Sequence, residues 1–284
     1  MLASNHPNSF LDAIILCTLF DGTIYSLARG DAFKNKTAAK FLRLFKMFPV
    51  YRVSEGVENL EENYSTFKLC KDLFKKNGIV LIFSEGLCVN EWHLRSLKKG
   101  TARLAISSWQ DGIDVEVLPV AINYSSFSRF GKNLKLSFGD IITKDAINYK
   151  DTDGNAIRLF NENLKHQLGK YVFEIDKSDK AIQQNIFYVK QTILKKILLF
   201  IPAVIGYIVH APVFYFVKML GDKLVREDGH DDSKIIAFLF IAYPVFLLLL
   251  SVLLLIFTGC WFSFGVLLLL PFTAWALVQL KPQL

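Results

Sequence analysis

A chain of 284 residues with 52% hydrophobic residues and a mean hydropathy of +0.32 is too apolar for an ordinary soluble protein, but the excess is local: from Ile193 onward most residues are Leu, Ile, Val, Phe or Ala. The formal net charge of +7 and pI near 9.1 point to an anionic partner; no nucleic-acid module is recognisable, which leaves an adjoining membrane with anionic lipid. Cys17, Cys70, Cys88 and Cys260 form no Cys-x-x-Cys pair, so they read as reduced core or membrane residues and exclude a disulfide frame or zinc site.

The chain opens on Asn5-His6-Pro7-Asn8-Ser9-Phe10-Leu11-Asp12. A histidine six residues ahead of an aspartate, across a turn leading into an apolar run, can form an imidazole–carboxylate pair. Such a pair fixes the ring tautomer, raises its basicity and frees the other nitrogen to take a proton from an alcohol. No secretory signal pattern is seen, and only Met1 to Ser4 precede the motif without an evident strand or helix to position it. The expectation is a start downstream of the natural one, or a fragment.

Ser9 to Phe20 has the spacing of a short amphipathic helix, broken at Asp21-Gly22, and Thr23 to Ala28 reads as a strand. Lys34 to Phe48 alternates basic and apolar residues at helical spacing, either a solvated helix with one core face or a helix lying on an anionic membrane surface. Pro49 ends it, and Pro49-Val50-Tyr51-Arg52 makes a short strand or turn. Glu55 to Lys76 is a predicted helix closed by Asn77-Gly78, and Ile79 to Phe83 is a buried strand. Lys98 to Trp109 reads as helix, Val115 to Asn123 as a core strand, Asn133 to Phe138 as an edge strand and Asn155 to Phe173 as helix. Strands separated by helices indicate an α/β domain with helices packed over a sheet.

Three apolar stretches follow. Ile197 to Val217 contains Pro202, Gly206, His210 and Pro212 and has cations on both flanks, which favours a re-entrant or interfacial segment. Residues 235–257 and 261–280 are each long enough to span and read as a transmembrane hairpin. The expected division is therefore residues 1–190 as the catalytic domain and 191–284 as the membrane-associated region. His93, His166, His210 and His230 are dispersed, and no metal or cofactor set is expected.

The His6 block, then Pro49-Val50-Tyr51-Arg52, then Phe83-Ser84-Glu85-Gly86, then Leu118-Pro119-Val120-Ala121-Ile122 resemble, in order, the four sequence blocks of the phospholipid/glycerol acyltransferases, which include the lysophosphatidic acid and glycerol-3-phosphate acyltransferases. The resemblance covers roughly residues 3–140. Any one block alone is weak; their order and spacing together are not. The resemblance implies a mixed sheet flanked by helices, followed by C-terminal membrane helices. It implies phospholipid biosynthesis by transfer of an acyl group from acyl-CoA or acyl-ACP as co-substrate to a glycerol hydroxyl, the leading acceptor being 1-acylglycerol-3-phosphate. Glycerol-3-phosphate, a lyso-aminolipid, or a non-catalytic, membrane-anchored lipid binder are the alternatives. The site is expected at the cytoplasmic face of an integral membrane protein.

Under this resemblance His6 is the general base and Asp12 its orienting carboxylate. Arg52 is the substrate-phosphate arginine, or an exposed structural one. Glu85-Gly86, after a buried strand, would organise the substrate site or be a surface turn. Pro119 would shape the acyl-chain side of the cleft or merely end a core strand. Two departures stand out. Five residues separate His6 from Asp12 where four are commonest, so the loop must bulge. The third block commonly continues Glu-Gly-Thr-Arg and here runs Glu85-Gly86-Leu87-Cys88. The basic cluster of Arg95, Lys98, Lys99 and Arg103 could replace the missing charge, or simply be a solvated helix start. No Gly-x-Ser-x-Gly elbow supports an ester hydrolase.

Overall fold

The computed structural model describes residues 1–51, 60–127, 129, 131–150, 153–224 and 231–280. Elements alternate as the sequence predicts: β1 (Leu2–Ser4), α1 (Phe10–Cys17), β2 (Ile24–Arg29), α2 (Lys36–Leu44), β3 (Met47–Val50), α3 (Leu60–Phe74), β4 (Ile79–Phe83), α4 (Lys99–Gln110), β5 (Leu118–Tyr124), β6 (Leu134–Phe138) and α5 (Asp153–Gly169). The strands form one six-stranded sheet in the order β3-β2-β4-β1-β5-β6. The pairs β1–β4, β1–β5, β2–β3 and β2–β4 are parallel. β6 runs antiparallel beside β5, as the bonds from Ser125 N–H to the Asn133 carbonyl and from Gly139 N–H to the Pro119 carbonyl require. The sheet is therefore mixed and flanked by helices.

β1 is the element the sequence reading lacked. Three residues are too few to show a period, yet Leu2, Ala3 and Ser4 are buried at the centre of the sheet, with Leu2 opposite both Leu81 and Leu118. Asn5 continues β1 beyond its last paired residue: its side-chain amide donates to the Ile122 carbonyl at 3.0 Å and accepts from the Ile122 N–H at 2.8 Å. The predicted helix over 34–48 is shorter than expected. It stops at Leu44, Lys46 takes a left-handed φ of 58°, and Met47 to Val50 pair with β2 as an edge strand, where Pro49 is tolerated.

The chain falls into two compact units, residues 1–123 with 136–176, and residues 124–135 with 177–284. The first has a continuous core on one face of the sheet, including Val80, Leu104, Trp109, Val117, Phe160 and Leu164. In the second, the turn 124–135 is bound to the C-terminal part: Lys132 pairs with Asp232, and Asn133 donates to the Phe187 carbonyl at 2.7 Å. This turn, far from residue 190 in sequence, thus groups with the C-terminal segment through polar contacts that no periodicity announces.

Besides α6 (Lys180–Phe187), that unit holds α7 (Ile193–Leu224), α8 (Asp231–Thr258) and α9 (Val266–Leu280), the last preceded by a 3-10 turn at Trp261–Gly265. Ile193–Lys223, Asp232–Thr258 and Trp261–Leu280 are each long and apolar enough to cross a membrane. Where Pro202 and Pro212 argue from sequence for a broken segment, α7 is one helix of 32 residues containing both; prolines are accepted in apolar helices when neighbours re-satisfy the freed backbone groups. His210 Nδ1 bonds the Gly206 carbonyl at 2.8 Å, and its Nε2 meets the Tyr243 hydroxyl at 2.9 Å, linking α7 to α8.

α9 packs directly on α7 at Gly206, where an added Cβ would collide with the Thr273 carbonyl. Small residues permit such contact between apolar helices. Gly206→Val is expected to destabilise the helical unit by about 1–3 kcal/mol, lowering the thermal midpoint in detergent. Gly265→Val, where nothing lies within 4 Å of an added Cβ, should not.

Candidate active site

Parallel strands place their C-terminal ends along one edge, and the loops leaving that edge are where α/β folds assemble chemistry. Here β1 delivers Asn5-His6 and β4 delivers Ser84-Glu85-Gly86 side by side, because β1 pairs with β4 in register up to Ser4 and Phe83. The Ser84 N–H then donates to the Ser4 carbonyl at 2.8 Å, locking the two exits together.

His6 Nδ1 lies 2.9 Å from Asp12 Oδ2, and the same oxygen accepts the Asn8 N–H at 2.8 Å. Asp12 is 0% exposed and His6 19%. Carboxylate bonding at Nδ1 fixes the proton there and leaves Nε2 as the ring atom that can act on a substrate. The ring stacks on Phe83 with centroids 3.8 Å apart and planes 12° from parallel, which sets its plane.

The extra residue between His6 and Asp12 is absorbed at Ser9, whose φ of 55° and ψ of −136° belong to a region that non-glycine residues avoid. The bulge expected from the spacing is therefore real, and it does not prevent the side chains from meeting. Ser9 N–H is held by Cys88 Sγ at 2.9 Å, and the Asn90 side-chain amide donates to the Pro7 carbonyl at 2.8 Å. Ser9→Gly is expected to stabilise the first unit by about 1 kcal/mol while preserving the Ser9 N–H bond, measurable as a higher thermal midpoint.

Glu85 is the centre of the second loop. Its Oε2 accepts the His6 N–H at 2.8 Å and its Oε1 the Arg95 N–H at 2.9 Å. Burial raises its pKa above the ordinary carboxylate value, outweighing the two backbone N–H groups and the nearby His6 and Arg95 that favour the charged form. Gly86 turns the chain with φ 64°, which glycine adopts freely. Glu85-Gly86 is thus a buried clasp between the loops and not a surface turn.

A cavity of about 360 Å³ opens beside this clasp, lined by Glu85, Leu87, Glu91, His93, Arg95 and Lys98, with Ser96 at its wall. Arg95 pairs with Glu91 at 2.7 Å, and His93 with Glu174. Of the basic cluster, Arg95 and Lys98 face the cavity; Lys99 is exposed at the first residue of α4 and does not line it. Arg52 lies outside the described residues, although Tyr51 before it is clamped by Asn63 through bonds of 2.8 and 2.9 Å. Pro119 is buried in β5 opposite Ala3 of β1, inside the sheet that carries His6.

Sequence reasoning overlooked Phe83, Cys88 and Asn90. Cys88 stands where the commonest pattern has Arg, and that departure was the available signal. Its thiol is pushed up to about 12, by burial first and then by Asp12, so at neutral pH it is a protonated bond acceptor and not a thiolate nucleophile. Among the described residues no group of His, Cys, Asp or Glu is placed to hold a metal ion.

This arrangement offers a positioned base, a carboxylate that orients it, and a cation-rimmed cavity within one loop cluster. Residues 1–123 match the model of the family described as Acyltransferase. No curated protein and no solved structure gives a match. The matched span begins with β1 and ends with β5, and so contains the His6–Asp12 pair, the Glu85 clasp and the cavity. Over these residues the chain carries an acyltransferase domain of the family to which glycerolipid acyltransferases such as the lysophosphatidic acid acyltransferases belong.

Proposed function

We propose that this protein is a membrane-bound O-acyltransferase of phospholipid biosynthesis that moves a fatty acyl group from acyl-CoA or acyl-ACP to the free hydroxyl of 1-acylglycerol-3-phosphate, giving phosphatidic acid. The single observation that carries the reading is the His6–Asp12 pair, held in hydrogen-bond contact at 2.9 Å beside a cavity rimmed by Arg95 and Lys98. In this reading His6 Nε2 takes the hydroxyl proton as the oxygen attacks the thioester carbonyl. The tetrahedral intermediate collapses, the C–S bond breaks, and His6 returns the proton to the departing thiolate. No covalent enzyme intermediate is formed.

The phosphate end of the acceptor is taken by Arg95 and Lys98 at the cavity, with Arg52 a further cation for it, while Lys99, exposed on α4, adds only to the local positive field. Glu85 and Gly86 shape the floor, and Pro119 the acyl-chain side. The three apolar helices keep substrate and product in one bilayer, and the cations on both flanks of the apolar stretch 197–217, Lys195 and Lys196 before it and Lys218 and Lys223 after it, favour a cytoplasmic catalytic domain.

The test is to incubate membranes carrying the protein with labelled acyl-CoA, then acyl-ACP, against lysophosphatidic acid, glycerol-3-phosphate and lyso-aminolipids, with His6→Ala alongside. A labelled diacyl phosphate that vanishes in the variant supports the proposal. Product from another acceptor reassigns the substrate, and no product from folded protein with any pair refutes transfer.

A further inference from the structure

We infer that α2 and the start of α1 form an interfacial docking surface for an anionic lipid bilayer. Between Ala32 and Tyr51 the chain carries Lys34, Lys36, Lys40, Arg43 and Lys46 and no acidic residue. Within α2 the described side chains that are half-buried are Ala39 and Leu42, so the helix rests on the fold along a narrow strip. Phe41, Leu44 and Phe45, the last just past the helix end, are 59%, 73% and 48% exposed. Such large apolar groups left together in water mark a surface that something covers.

The distribution of charge names the occupant. On a helical turn of 100° per residue, Lys36, Lys40 and Arg43 share one stripe, and Phe41, Leu44 and Phe45 lie on the adjoining side. Among the described residues none of these three cations has an ion-pair partner, and all are exposed. Aromatic and leucine side chains that enter the headgroup region, beside lysines and arginines whose stems lie along it and whose charges meet lipid phosphates, are the features of a helix lying in a bilayer surface. A bilayer is at hand, because the same chain holds three helices long and apolar enough to cross one. An acidic protein partner would match the cations but not three exposed apolar groups along one helix edge.

The surface also reaches the chemistry. Phe45 meets Phe10 edge-on with ring centroids 6.3 Å apart, and Phe10 opens the helix that carries Asp12. Docking of this patch would set the His6 loop at the level of the lipid headgroups. The inference needs no turnover, so it can fail or hold independently of the acyl-transfer reading.

The test is hydroxyl-radical footprinting of the full chain in nanodiscs of phosphatidylcholine alone or with one third phosphatidylglycerol. Exposed Tyr64 on α3 is the internal standard. Phe41 and Phe45 are expected to be oxidised about fivefold less, relative to Tyr64, in the anionic discs than in the neutral ones. The triple variant Lys36→Glu, Lys40→Glu, Arg43→Glu, all at exposed positions, should abolish that difference. Oxidation equal to that of Tyr64 in both discs overturns the inference. So does protection that is the same in both discs and indifferent to the charge reversal, or protection that appears only on adding an acidic carrier protein.

Discussion

His6→Ala is expected to lower the acyl-transfer rate by about 10²–10⁴-fold, with the domain still folded. The ring is only partly enclosed, and its loss leaves Asp12 its bond from the Asn8 N–H. Asp12→Asn should give a loss of similar size for a different reason. One atom meets both His6 Nδ1 and the Asn8 N–H: an amide oxygen there keeps both bonds but loses the charge that stabilises the imidazolium, and an NH₂ there strands the Asn8 N–H and favours the tautomer with hydrogen on Nε2, which cannot take a proton. Neither residue lines the cavity, so both variants should reduce kcat and leave KM for the acceptor nearly unchanged. Steady-state kinetics with each substrate varied would check this. Full activity in His6→Ala would remove the pair from the chemistry.

Glu85→Ala is expected to cost about 2–6 kcal/mol of stability and most of the activity. It strands two backbone N–H groups, of His6 and Arg95, in a buried setting, and it releases the peptide that positions the base. Glu85→Gln should be milder, since its carbonyl still satisfies one donor while its NH₂ faces the other. The carboxyl also makes stability depend on pH. Burial raises its pKa in the folded protein, so the folded state holds this proton more tightly than the unfolded chain does. The resulting stabilisation is fully present below the unfolded-state pKa and is lost as pH rises through the folded-state value. Thermal unfolding in detergent from acid to neutral pH should show this component in the native protein and not in Glu85→Gln.

The sequence alone was enough to find the α/β alternation, the buried strand Ile79–Phe83, the edge strand at Leu134–Phe138, and the three apolar stretches. Each depends on local periodicity or on a run of apolar residues, and both are properties of neighbouring positions. The four blocks carried the acyltransferase assignment in the same way, as residue types at fixed spacings. What lay beyond it was of another kind. Leu2–Ser4 is a central strand only because residues 81–83 and 118–120 flank it, and no three-residue segment announces such partners. Pro49 looked like a helix stop and is instead an edge-strand residue, because β2 supplies its neighbour.

For the site, spacing named His6 and Asp12 but could not say whether a five-residue loop would close; the positive φ at Ser9 and the Cys88 and Asn90 bonds to that loop decide it. Composition placed Arg95, Lys98 and Lys99 in one basic cluster, and only the turn from Glu85 into α4 separates the two that face the cavity from the one that does not. Residue types and their order thus determined which chemistry the chain carries. Which atoms meet was decided by the tertiary structure, because hydrogen bonds and burial join residues some 80 to 120 positions apart, where a linear pattern holds no geometry.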